Sequence, residues 1–270
     1  MTRPIPTQRG GFTLLELLAS TSIILVLASL LLPAIAATRE RAARAQCLNN
    51  HRQMLLGWSL FANDHHGTLP ANGYTPAGGS SLQPRWVQGY LNPRVAPTDL
   101  ADEKLLSDPQ FAQLAPYIPR AAIYHCPADR PSGDADRDRI RSYAMNAYVG
   151  WDGPVLRPLQ TGYRVYRDWS DLDRPGPARL MVFIDVNPAS ICWPFFGVNM
   201  TQGAEAQFFA HPAAHHAGGA QVAFADGHVE HRKWQDRRTV RPGNILYHAH
   251  DTPSPGNPDL AWLQSVATVR

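Results

Sequence analysis

The sequence is short of charge and of cysteine. Charged residues fill 17% of its 270 positions and the net charge is +3, too little for the basic surface of a nucleic-acid binder. Two of the positive charges, Arg3 and Arg9, stand in an acid-free N-terminal stub, leaving about +1 on the rest. The three cysteines, Cys47, Cys126 and Cys192, form no CxxC pair and read as having no local histidine at zinc-ligand spacing, which argues against a zinc ribbon or a disulfide-dense scaffold. Also missing are a nucleophile elbow, an HExxH helix and a pair of catalytic carboxylates. What the chain has in quantity is proline (24) and glycine (20), the mark of a loop-rich globular body.

Those breakers are scarce between residues 12 and 63, where only Pro33 and Gly57 occur. Residues 12–37, FTLLELLASTSIILVLASLLLPAIAA, carry one charge, Glu16, in a run long enough to cross a bilayer as a helix. A secretory signal peptide places its small cleavage-site residues after the apolar run. Here Gly10 and Gly11 precede it. From residue 38 to 63 there is no proline and the only glycine is Gly57. Cys47, Leu48, Met54, Leu55, Trp58, Phe61 and Ala62 recur at a helical period, one face for a core. A single helix over about 12–63 is therefore expected, membrane-embedded over 12–37 and amphipathic over 38–63.

The remainder, 64–270, reads as a head built of short elements. Expected are a strand near 86–90, one or two short helices between 99 and 117, a strand over 122–127 and a central strand over 179–186 (RLMVFIDV). The charged stretch 129–139 reads as a solvated loop, because it lacks the spacing of a calcium loop. Asp226-Gly227, between VAFA and HVEH, predicts a hairpin with a two-residue type I′ turn. That turn would set Phe224 against Val229 and Val222 against His231.

MTRPIPTQRGG followed by FTLLEL resembles the class III leader of type IV pilins and type II secretion pseudopilins. The resemblance implies cleavage by prepilin peptidase between Gly11 and Phe12 and methylation of the new terminal Phe12. It makes residues 1–11 a leader, Glu16 the fifth mature residue, and Pro33 the helix-kinking proline many pilins carry. The leader gives Glu16 a physical role, since a carboxylate in an apolar helix costs on the order of 2.5 to 3.5 kcal/mol at the bilayer centre unless paired. The freed amine of a neighbouring subunit is the partner the family implies. His216, followed after nine residues by Asp226-Gly227, is similar to the signature of prepilin-type processing-associated proteins of planctomycete and verrucomicrobial bacteria. CLNNHRQ, FANDHHGTLP, HCPAD and SYAMN look like further blocks of that class, with His51 and Met54 standing where leucine is more usual.

The expected fold is thus α+β and pilin-like: a long N-terminal helix packed on a loop-rich antiparallel head. The expected role is a structural, non-enzymatic filament subunit of a single-pass inner-membrane kind, its head in the periplasm or on the cell surface. Its partners would be the peptidase, other pilin or pseudopilin subunits, the inner-membrane assembly platform and membrane lipid, with no nucleic acid. No cofactor is expected beyond a structural divalent cation, for which His216 and Asp226 are weak candidates; related heads hold calcium, yet histidine suits that cation poorly. A His216–Asp226 contact is expected to pin the loop to the hairpin. A head outside the cytoplasm permits a Cys47–Cys126 disulfide, with Cys192 free; three unpaired buried thiols is an equal alternative. The competing role is a membrane-anchored binding module or hydrolase using the histidines between 211 and 250, seven of the eleven in the chain.

The leader reading predicts that mass spectrometry of the protein from its host finds a chain beginning at Phe12 with a methyl on its amine. A mature protein still carrying Met1 to Gly11 contradicts it.

Overall fold

In a computed structural model the described residues are 13–75, 83–92, 94–129, 139–153, 158–242 and 250–270. The leader, Phe12 and most of the charged stretch, residues 130–138, lie outside them. The chain forms two compact units, Met1–Ala42 and Ala43–Arg270, and helix α1 (Leu14–Asp64) contributes to both.

In the first unit α1 is apolar on every side and no described residue covers it. Leu14 is 78% exposed and Leu32 67%, the reverse of a soluble core helix. The segment is long and apolar enough to cross a membrane, a property that signal sequences share. Its serine and threonine hydroxyls are satisfied within the helix. The Ser20, Ser22, Ser29 and Thr38 hydroxyls each donate to a carbonyl one turn back, at 2.7–2.8 Å. Thr13 and Glu16 form a capping box: Glu16 Oε2 accepts from the Thr13 backbone N–H (2.9 Å) and hydroxyl (2.8 Å), while the Glu16 N–H donates back to Thr13 Oγ1 at 3.3 Å. The helix is continuous through position 33.

In the second unit α1 is amphipathic. The apolar stripe is buried as its period predicted, except that Leu48 is only half-buried and Asn50 and His51 join the covered face. Gly57 sits in that face because any Cβ there would run into Ile118.

After a 3₁₀ turn at Pro97–Leu100 and the short α2 (Lys104–Ser107), the head is built on a five-stranded mixed sheet. Its strands are β1 (Tyr143–Asn146), β2 (Met181–Asp185), β3 (Phe195–Phe196), β5 (Gly219–Phe224) and β6 (Val229–Lys233), in the order β3-β1-β2-β5-β6. The expected all-antiparallel sheet is corrected at one edge, where β3 runs parallel to β1. β4 (Gln207–Phe208) and β7 (Thr252–Pro253) pair separately. α3 (Arg237–Val240) follows β6, and α4 (Pro258–Ala267) closes the chain. α4 is capped by Asn257, whose side chain accepts from the N–H groups of Asp259 and Leu260. β2 falls where RLMVFIDV placed it, in the middle of the sheet and fully buried.

Two expected strands are absent, for separate reasons. Around 86–90 the backbone N–H groups are shared among unrelated segments, Trp86 to Ala71 and Gln88 to Leu105, so no ladder develops. Residues 121–124 form a 3₁₀ turn instead of a strand, burying Tyr124.

The hairpin is present but its register is one residue off the expected one. Ala223 pairs with Val229, Val222 with Glu230 and Gln221 with His231. The Gly227 N–H donates to the Phe224 carbonyl at 2.9 Å, and Phe224 N–H to His228 at 2.9 Å. The loop is therefore three residues, Ala225-Asp226-Gly227, a type I turn followed by Gly227 at φ +95°. The slip moves His231 from opposite Val222 to opposite Gln221, and so to the other face of the sheet. His228 stacks on Phe224 with ring centroids 4.3 Å apart.

Gly227→Ala would force a Cβ into the left-handed region at a cost of roughly 1–2 kcal/mol. With nothing within 4 Å of that position, strain is the whole effect, and thermal unfolding of the full chain in detergent should shift down by a few degrees. An unchanged midpoint would contradict the turn.

Candidate functional site

The amphipathic part of α1 places Cys47 and His51 four residues apart, hence one above the other on its buried face. Three further segments bring chemistry to that face. Cys126 follows the 121–124 turn, its N–H held by Ser142 Oγ at 2.9 Å. Asp185 ends β2. His216 comes from a tight loop before β5, closed by reciprocal backbone hydrogen bonds between His216 and Gly219, with Ala217 and Gly218 at positive φ. Cys47, His51, Cys126, Asp185 and His216 are all without solvent exposure.

Asp185 is the hub. His51 Nε2 lies 2.8 Å from its Oδ1, and the Cys47 thiol donates to the same oxygen at 3.3 Å. Its Oδ2 accepts the Gln221 backbone N–H at 2.8 Å and lies 3.7 Å from His216 Nε2. His216 Nε2 is 3.3 Å from Cys126 Sγ, and the two sulfurs and this nitrogen all lie within 4.8 Å of one another. Tyr143 donates its hydroxyl to Cys47 Sγ at 3.4 Å and stacks obliquely on the His51 ring. His231, brought to this face by the register of the hairpin, sets Nε2 2.8 Å from the His216 carbonyl oxygen.

The proximity splits the two thiols. The neighbouring Cys47 side chain holds Cys126 down to about 5, with His216 adding to the effect against burial. Burial, then the Cys126 and Asp185 charges, push Cys47 up. Burial works to raise Asp185, but His51 and the Gln221 N–H outweigh it and hold the carboxyl below its usual range. Burial likewise opposes protonation of His216, yet Cys126 and Asp185 lift it above the ordinary imidazole value.

Several sequence expectations are redrawn by this geometry. His216 does not meet Asp226: the turn carries Asp226 to the surface, where its Oδ1 lies 2.6 Å from His228 Nδ1. The carboxylate that answers His216 is Asp185, so His216 and Asp226 are not joint ligands of anything. Cys47 and Cys126 are neighbours but are free thiols, as is Cys192. The described C-terminal histidines do not gather in one site: His216 and His231 adjoin the buried cluster, while His211 and His250 lie together elsewhere. His250 packs against Trp193 and Phe209, and buried His211 is pushed down to about 4 by desolvation and His250; His248 lies outside the described residues. The residues the sequence reading passed over were His51 and Asp185. A local signal existed for the first, since Cys47 and His51 stand at i and i+4 on the core stripe.

No family model, no curated protein and no solved structure matches this chain.

The cluster predicts an asymmetry. Asp185→Asn and His216→Ala each strand buried partners, at about 1–3 kcal/mol, and should lower the thermal midpoint of the detergent-solubilised chain by several degrees. Asp226→Ala, on the surface, should cost less than about 1 kcal/mol. Equal losses for His216→Ala and Asp226→Ala would contradict the placement of both residues.

Proposed function

We propose that the chain is a pilin-like subunit of a type II secretion or type IV pilus-like filament, released for assembly by prepilin peptidase. The observation that carries the reading is the division of α1. Its N-terminal part exposes a largely apolar surface of the kind that lipid or neighbouring helices would cover, and its later turns form part of the core of a folded head. The leader-like GGFTLLEL at the start of that segment supports the same reading. On this reading residues 12–37 anchor the subunit in the inner membrane, and the head stands in the periplasm or on the cell surface.

Glu16 fits such a role without being free. One oxygen is engaged by Thr13, and Oε1 takes no bond among the described residues, which leaves it to accept the amine of an adjoining subunit. The alternative of an anchored hydrolase draws no support from the five-residue cluster, since groups with no exposure cannot meet an external substrate.

Two variants separate assembly from helix capping. Glu16→Gln retains a side chain able to close the capping box but removes the charge; Glu16→Val removes both and makes insertion easier. Both should remain in the membrane fraction, and both should lose most crosslinked oligomers in the host. Normal assembly of Glu16→Gln would show that the charge is dispensable and remove the main physical support for the filament.

A further inference from the structure

We propose that Cys47, Cys126, His216 and Asp185 form a tetrahedral zinc site inside the head, with His51 as the residue that positions Asp185.

The donor set is the first argument. Two sulfurs, an imidazole nitrogen and a carboxylate oxygen suit a borderline ion such as Zn²⁺, whereas calcium and magnesium require oxygen throughout. The spacing is the second. Bonds of about 2.0–2.3 Å in a tetrahedron set ligand pairs roughly 3.3–3.8 Å apart. Cys126 Sγ to His216 Nε2 is 3.3 Å, Cys47 Sγ to Asp185 Oδ1 is 3.3 Å, and His216 Nε2 to Asp185 Oδ2 is 3.7 Å. Cys47, Cys126 and His216 offer donors that all lie within 4.8 Å of one another, and Asp185 reaches this triad with a different oxygen toward each neighbour, so closing the fourth position takes a small rotation of its carboxylate.

The surroundings are those of a metal centre. His51 Nε2 and the Gln221 N–H bind the two oxygens of Asp185, and Tyr143 donates to Cys47 Sγ. Partners of this kind orient ligands and are worth as much as 10- to 100-fold in affinity. Charge gives the reason for an ion. Thiolates buried from water are costly, and a dication offsets both at once. It would also tie together α1, the 121–127 segment, β2 and the loop before β5, which are remote in sequence, and would shield the Cys47 and Cys126 thiols from oxidation in a head outside the cytoplasm.

The test uses the full chain in detergent, purified from its host and also reduced, stripped with chelator and titrated with Zn²⁺ or Co²⁺ alone. Elemental analysis should find about one zinc per chain, and the cobalt form should show thiolate-to-metal charge transfer with the intense visible bands of a tetrahedral ion. Cys126→Ser and His216→Ala should lose the metal, while Cys192→Ser and Asp226→Ala keep it. His51→Gln should bind zinc roughly 10- to 100-fold more weakly without changing the cobalt coordination number. The cobalt spectrum of the unaltered chain stands even if a ligand variant fails to fold. A Cys47–Cys126 disulfide in the host protein, no uptake of either ion by the reduced chain, or full zinc occupancy in Cys126→Ser would overturn the proposal. None of these readouts depends on filament assembly.

Discussion

A carboxylate without solvent at the end of the central strand constrains the whole head. Asp185 cannot be buried charged unless donors surround it, and the structure supplies them from every direction: His51 and Cys47 from the helix, the Gln221 N–H from the neighbouring strand, and His216 from the loop before it. Together they fix three segments: the helix, the neighbouring strand and the loop before it. The long helix is set in rotation by having to present residues 47 and 51 to the sheet. The loop before β5 must turn tightly enough to return His216, which it does through positive φ at Ala217 and Gly218. The hairpin register then places His231 behind His216.

The N-terminal unit sets a different problem. It is a helix whose apolar side chains no described residue covers and whose hydroxyls are satisfied in place. Backbone-directed bonds from serine and threonine solve this locally, and the Thr13–Glu16 box does the same at the helix start. One helix thus meets two sets of demands, with the change marked in sequence by Arg39, Glu40 and Arg41.

Elements whose character follows from their own residues were legible in advance. α1 was legible from composition and period, β2 from a continuous apolar run, and the hairpin from Asp-Gly. The start of α4 was equally open to reading, since Asn257-Pro258-Asp259 is a capping signal. The failures have a common cause. The runs at 86–90 and 122–127 have strand-like composition, but a strand exists only if a neighbour offers a ladder, and no local pattern says whether one does. The two-residue and three-residue turns likewise share Asp-Gly and differ only in which residues pair across them.

The sequence by itself determined the apolar helix, its amphipathic continuation, a central buried strand and a turn at Asp226-Gly227, because helix period, strand burial and turn geometry are properties of neighbouring residues. Only the tertiary structure decided which carboxylate His216 would meet. Cys47, Cys126, Asp185 and His216 are scattered over the length of the chain, and what links them through contacts of 3.3–3.7 Å is the packing of a helix against a sheet. Asp226 looked like the partner because it was close along the chain. Asp185 is the partner because the tight loop before β5 returns His216 Nε2 to within 3.7 Å of its Oδ2.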